Sequence, residues 1–160
     1  MHAANKHVTT FSTPADTDVV VTRTFDAPRA LVFEAHTSCK HMPNWMGPYG
    51  WTMSECKNDL RAGGEYRYTW TKPGGGGITI TGVNREVTPP SRLVSTESWG
   101  EPWPVSTNTL EFSEQDGQTT LVMTIRYTTK QARDAALQTG MKEGMTTGFE
   151  RLDEYLGNMN

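Results

Sequence analysis

Four residues of this chain, His36, Cys39, His41 and Cys56, are of types that ligate zinc. Three or four such ligands must converge on one point, and this spacing matches no closed structural site. A helix end followed by a turn would scatter them, so no metal is expected. Two cysteines do not make a disulfide framework, and a bridge between Cys39 and Cys56 stays open because sequence does not supply geometry. His36 then stands as a polar group on the inner side of a short helix, either a satisfied buried histidine or an acid–base group. A second titratable candidate is Glu97, within Leu93-Val94-Ser95-Thr96-Glu97-Ser98-Trp99. Strand alternation puts Leu93, Ser95, Glu97 and Trp99 on one face. If Trp99 points inward, Glu97 does too, as a carboxylate that must find a partner or shift its pKa. A slip of one residue in register would reverse that orientation.

Two other motifs suggest chemistry and lose it on inspection. Asp59 and Arg61 resemble an acid–base pair, but in Asp59-Leu60-Arg61-Ala62-Gly63-Gly64 charged groups serve a tight turn. Gly74–Gly77 suggests a phosphate loop, which requires a helix N-terminus after the glycines. Here the β-branched run Ile78-Thr79-Ile80-Thr81 follows, so the glycines are a hairpin tip.

The aromatic residues Phe33, Trp45, Trp51, Tyr66, Tyr68, Trp70, Trp99, Trp103 and Phe149 would fill any core. Alternation nevertheless sets Tyr66, Tyr68 and Trp70 on one face, and buried hydroxyl- or NH-bearing rings need partners. An apolar pocket with a few polar groups is the usual form of a small-molecule site. Met123, Met141 and Met145 would add adaptable apolar walls. Gly140, Gly144 and Gly148 fall four apart near these methionines. Each costs a helix up to ~1 kcal/mol against alanine, so they either permit close packing against the sheet or a partner or leave pocket volume and let the helix bend, and the second is expected.

The elements that must position these groups follow from periodicity. Val19, Val21 and the run to Phe25 read as a first strand. Asp26-Ala27-Pro28 is a helix start, with Asp26 as N-cap. A second short helix is expected over Lys40–Trp45, stopping at Gly47-Pro48. From Trp51 to Tyr127 the chain reads as a meander of about six strands, with turns at Pro73–Gly77, Pro89-Pro90 and Asp116-Gly117. Lys130–Leu156 holds no proline and places Leu137, Met141, Met145, Leu152 and Leu156 on one helical face, so one long helix is expected there. That order is an α+β layer architecture. Residues 1–16 read as a flexible N-terminal arm, and 17–157 as a single domain.

Composition narrows the class of function. A chain of 160 residues supports one sizeable core. The net charge of -3 supplies no footprint for nucleic acid. Twenty-four threonines suit a sheet with a polar outer face. Residues 1–16 lack the apolar run of a secretory signal, and no stretch approaches the ~18 apolar residues of a membrane span. A cytoplasmic location is therefore expected.

An ordered set of residues resembles the bacterial stand-alone members of the family named for the activator of the heat-shock-protein-90 ATPase. That family lies within the helix-grip superfamily of START domains, polyketide cyclases and the birch pollen allergen. The set comprises Arg23, Phe25-Asp26-Ala27-Pro28, Val32-Phe33, Trp45-Met46-Gly47-Pro48 and Asp59-Leu60-Arg61 with Gly63-Gly64. It continues through Gly82, Arg85-Glu86-Val87, Pro89-Pro90, Arg92-Leu93, Thr119-Thr120-Leu121 and Gly148-Phe149. His36 departs from it, where many relatives carry an aromatic residue, as does Phe149, where tryptophan is common.

The resemblance implies a curved antiparallel sheet wrapped around one long C-terminal helix, with two short helices after the first strand and a cavity between sheet and helix. Fold alone does not name a reaction. The expected function is binding of an apolar or aromatic small molecule, without cofactor. The expected ligand-binding residues are Phe33, His36, Trp45, Tyr66, Tyr68, Trp70, Glu97, Trp99, Met123, Met141, Met145 and Phe149. Two alternatives stand beside it. One is a protein-interaction module with a chaperone or homodimer partner and a role in the stress response. The other is a cavity cyclase or hydrolase using His36 or Glu97.

Overall fold

In the computed structural model, which describes residues 7–47 and 49–159, eight strands form one antiparallel sheet. In chain order the elements are β1 (Thr10–Ser12), β2 (Asp18–Phe25), α1 (Arg29–Thr37), β3 (Thr52–Asn58), β4 (Glu65–Thr71) and β5 (Gly77–Thr88). They continue with β6 (Arg92–Glu97), β7 (Ser106–Gln115), β8 (Gln118–Tyr127), α2 (Lys130–Leu137) and α3 (Met141–Gly157). The sheet order is β1-β2-β8-β7-β6-β5-β4-β3. Strands β3 to β8 form the expected meander, and β2 closes it by pairing with β8 along its whole length. This is the α+β helix-grip architecture.

The turns follow their residues. Asp116 and Gly117 both take positive φ, +54° and +77°, as the two-residue β7–β8 hairpin requires. Strand β5 pairs with β4 through its first half and with β6 through its second, with a register shift between Asn84 and Glu86. A bulge there bends the strand, so the sheet curves around one face. Asn84, almost fully buried, donates to Asn58 Oδ1 (3.0 Å) and the Asp59 carbonyl (2.9 Å), holding the 59–64 turn against the sheet. A Cβ at Gly64 would overlap the Asp59 carbonyl, which accounts for glycine at that position. Arg61 Nε meets Asp59 Oδ2 at 2.8 Å in an exposed ion pair.

Several elements differ from the sequence expectation. Thr10–Ser12, inside the segment expected as a flexible arm, pairs with β2; Met1–Lys6 lie outside the described residues. Asp26 does not cap α1: Pro28 is the N-cap, and Glu114 Oε1 accepts from the Arg29 amide at 2.6 Å. The second short helix shrinks to a single 3-10 turn, Met42–Asn44 with Pro43 inside it; Pro48 lies outside the described residues. The segment 130–156 is two helices, not one. Thr139 turns its amide and hydroxyl back onto the Ala136 carbonyl, and Gly140 then takes φ +81°. A left-handed residue ends a helix, so the break is local and glycine permits it. Thr129 caps α2 by accepting from the Ala132 amide at 3.0 Å.

Cys39 and Cys56 form a disulfide with Cα atoms 5.7 Å apart, joining the end of α1 to β3. This settles the pairing that composition left open. Polar ties fix the helices to the sheet: buried Arg23 of β2 pairs with Asp153 of α3, and Arg133 of α2 donates to the carbonyls of Ala15 and Asp18. His41 Nδ1 lies 2.6 Å from the Tyr155 hydroxyl of α3. No helix among the described residues is long and apolar enough to cross a membrane.

Candidate functional site

Two apolar clusters occupy the concave side of the sheet. The larger joins β2, β7, β8 and α1 to α3 through Val21, Phe25, Phe33, Trp45, Phe112, Leu121, Phe149 and Leu152. The smaller gathers Met42, Met53, Tyr66, Tyr68, Trp70 and Ile80 around β4. A polar band on β6 and β7 lies within the same sheet. Leu93, Ser95 and Glu97 share one face of β6, opposite Leu110, Asn108 and Ser106 of β7. Ser95, Ser106 and Asn108 are buried and Glu97 is half-buried, so register turns Glu97 inward.

Glu97 is the centre of this band. Trp99 Nε1 donates to its Oε2 at 2.8 Å and Asn108 Nδ2 to its Oε1 at 3.3 Å. Ser106 Oγ in turn donates to Asn108 Oδ1 at 2.9 Å. Removal from water pushes the Glu97 carboxyl above the usual carboxylate range, against these two donors. Burial, with the Glu97 charge second, raises the phenols of Tyr66, Tyr68 and Tyr127, the last to about 12. Three phenols on two strands, β4 and β8, therefore share the field of one carboxylate.

Local sequence explains the arrangement. Tyr66, Tyr68 and Trp70 alternate along β4, with Tyr66 and Tyr68 stacked at 4.9 Å between ring centroids. Tyr66 donates its hydroxyl to the Thr96 carbonyl and crosses Gly82, where a Cβ would overlap both the ring and that carbonyl. Trp99 departs from expectation. It lies beyond the end of β6, 46% exposed, and turns its indole nitrogen back onto Glu97 instead of lining the interior.

His36 lies in the other cluster. It is 7% exposed, with its ring among those of Phe25, Trp45, Phe112 and Phe149. Nδ1–H donates to the Val32 carbonyl at 2.8 Å, which leaves Nε2 a bare lone pair with no partner among the described residues. Desolvation holds its pKa down at about 4. Phe33 packs edge-on against Phe112, and Trp45 donates Nε1 to the Ala35 carbonyl at 2.9 Å.

The twelve residues singled out from sequence thus fall into separate groups. Glu97 and Trp99 meet in the polar band, and Tyr66, Tyr68 and Trp70 line the smaller cluster on β4, where Tyr66 reaches the Thr96 carbonyl and Trp70 donates to that of Met46. Phe33, His36, Trp45 and Phe149 are sealed in the larger cluster. Met123, Met141 and Met145 lie half-buried at that cluster's edge.

The glycines separate as well. Gly140 marks the helix break and Gly144 is exposed, contrary to the expectation that all three leave pocket volume. Gly148 is buried, yet a methyl group added there would meet no atom of a neighbouring residue within 4 Å. Tyr127, Asn108 and Ser106 were not singled out from sequence. Alternation with Ile125 and with Leu110 carried the signal, but without the β6–β7 and β7–β8 registers nothing tied them to Glu97. Two open surface clefts lie away from this wall. One is formed by Phe11, Lys142, Glu143, Thr146 and Thr147; the other is on the outer sheet face between Arg92 and Arg126.

Residues 26–157 match the family described as activator of Hsp90 ATPase homolog 1-like protein. The chain belongs to that family. Solved structures of similar proteins agree with it in fold. A protein from Rhodobacter sphaeroides is 30% identical with a TM-score of 0.88, over 95% of this chain and 99% of its own. One from Nitrosomonas europaea is 28% identical with a TM-score of 0.81, over 91% and 97%. One from Mycobacterium smegmatis is 25% identical with a TM-score of 0.83, over 93% and 96%. No protein of curated function matches the chain.

Proposed function

We propose that this member of the family binds an apolar or aromatic small molecule on the concave face, between the sheet and the C-terminal helix. The observation that carries the reading is the polar band of Glu97, Asn108, Ser106 and Ser95 set on the same concave face as two apolar clusters. Sheets close dry cores with apolar residues, and a polar group held inside must be hydrogen-bonded or cost free energy. Here most of that band is satisfied internally, and Glu97 retains partial access to solvent. Half-buried Met123, Met141 and Met145, and the unfilled volume beside Gly148, supply adaptable apolar surface nearby. Burial of a ligand's apolar area would drive binding at roughly 25 cal/mol per Å² before ordering costs.

Native mass spectrometry of freshly purified protein and titration with the neutral dye Nile red test the reading. A co-purifying small molecule, or saturable dye binding weakened by Gly148→Leu, is the expected result. Absence of both overturns it. A cytoplasmic location belongs to the same proposal. The Cys39–Cys56 disulfide argues against it, because a reducing compartment would hold both as thiols; trapping free thiols at the moment of lysis decides between the two.

A second reading, a protein-interaction module acting on a chaperone, is favoured by the exposed Trp103 (52%) and Val105 (49%) next to Trp99 on the β6–β7 connection. Stimulation of a purified heat-shock-protein-90 ATPase that is lost in Trp103→Ser would support it over small-molecule binding.

A further inference from the structure

We propose that the molecule bound on this wall is an organic cation, a protonated amine on an apolar or aromatic body, with its ammonium group seated against Glu97. This rests on the small-molecule reading above and adds the chemical class.

The first support is an imbalance of charge. Among the described residues no arginine, lysine or histidine nitrogen lies within ion-pair distance of Glu97. Other inward or half-buried acids of the molecule have such partners: Asp18 has Arg126, Asp153 has Arg23 and Glu55 has Arg67. Glu97 alone of these is served by neutral donors, the Trp99 indole and the Asn108 amide. Neutral donors orient a carboxylate without cancelling its charge, and desolvation raises its pKa accordingly.

The second support is the inventory of open hydrogen-bonding positions. Each Glu97 oxygen accepts one bond and keeps a further lone pair. The hydroxyl oxygens of Tyr68 and Tyr127, both within the field of Glu97, make no hydrogen bond among the described residues. An ammonium group brings three donors, and the remaining lone pairs of the two Glu97 oxygens can accept from it. An anionic ligand would be repelled by Glu97, and a neutral alcohol would leave the charge uncancelled.

The third support is the aromatic setting. Tyr66 and Tyr68 are stacked, Trp70 meets Tyr68 edge-on at 6.3 Å, and Trp99 lies against the carboxylate. Ring faces attract cations, more strongly where water is excluded, and they take the apolar body of the same ligand.

Three indole probes that differ only in the terminal group test the inference by calorimetric titration at pH 7.5: tryptamine, tryptophol and indole-3-propionate. Wild-type protein is expected to bind tryptamine at least about tenfold more tightly than tryptophol, with indole-3-propionate weakest, as loss of one partner of a desolvated charge pair dictates. Glu97→Gln keeps the shape and should remove the tryptamine advantage while leaving tryptophol within about twofold. Equal affinity of wild type for tryptamine and tryptophol overturns the cation assignment, whether or not the variant folds. Nile red separates the two failures. Dye binding without a tryptamine preference rejects the cation and keeps the small-molecule reading, whereas binding of neither dye nor any indole rejects both.

Discussion

His36 and Glu97 are two ionisable groups turned into the same concave side, and both are pushed toward their neutral forms. Their surroundings differ. His36 is shut among four aromatic rings, with one nitrogen bonded within its own helix and the other unpartnered. Glu97 is half-buried, held by two side-chain donors from outside its strand and surrounded by phenols. The first arrangement makes neutrality a condition of folding. The second leaves a charge that something else can neutralise. A shifted pKa therefore does not by itself mark a site: access to solvent separates the candidate wall from the sealed core.

The largest effect expected is on the sealed side. Trp45 is almost fully buried against His36, so Trp45→Ala should cost roughly 3–5 kcal/mol in denaturant unfolding. By admitting water to His36, it should also raise that residue's pKa.

The next effect is that of pH. Between pH 6.5 and about 4 the unfolded chain protonates this histidine while the folded chain does not. Stability should therefore fall as pH drops through that window, by about 3 kcal/mol in all, and lose nothing further from His36 below it. In His36→Phe that slope should flatten, and a variant as pH-sensitive as wild type would show that His36 is not held neutral.

The glycines of α3 provide a smaller contrast. Gly144 is exposed in a regular helix with free space at its Cβ position, so Gly144→Ala should stabilise by up to ~1 kcal/mol in thermal melts. Nile red binding should not change, unlike that of Gly148→Leu.

The smallest stability change is expected at Glu97. A raised folded pKa means that the native state holds this proton to higher pH than the unfolded chain. The stability it contributes is complete below about pH 4.5 and is lost as pH rises through the folded pKa. Glu97→Gln should thus melt like wild type at low pH and higher than wild type at neutral pH. A variant less stable at every pH would make Glu97 a structural residue and remove it from the candidate site.

The sequence made the strands readable because alternation is a local property: Tyr66, Tyr68 and Trp70, or Leu121, Met123, Ile125 and Tyr127, declare a face before any partner is known. Turn chemistry was equally local, and Asp116-Gly117 and the Gly74–Gly77 tip lie where their residues required. The helix break was harder to read. Apolar periodicity runs on through Leu137 and Met141, and a glycine that ends a helix looks the same in sequence as one that weakens it. Residues 19–157 also carried enough ordered motif to place the chain in its family, which residues 26–157 match.

Only the tertiary structure decided what each face meets. The register of β6 against β7 brought Asn108 to Glu97, and the end of β6 let Trp99 turn outward while its nitrogen reached back. The pairing of β7 with β8 set Ser106 beside Tyr127, and the approach of α1 to β3 joined Cys39 to Cys56. These are contacts between residues from 2 to 21 positions apart, closed by a strand end, by the connections between neighbouring strands or by the chain between α1 and β3. Alternation states which side of a strand a residue occupies, whereas its neighbour there depends on register, and register is a property of the assembled sheet.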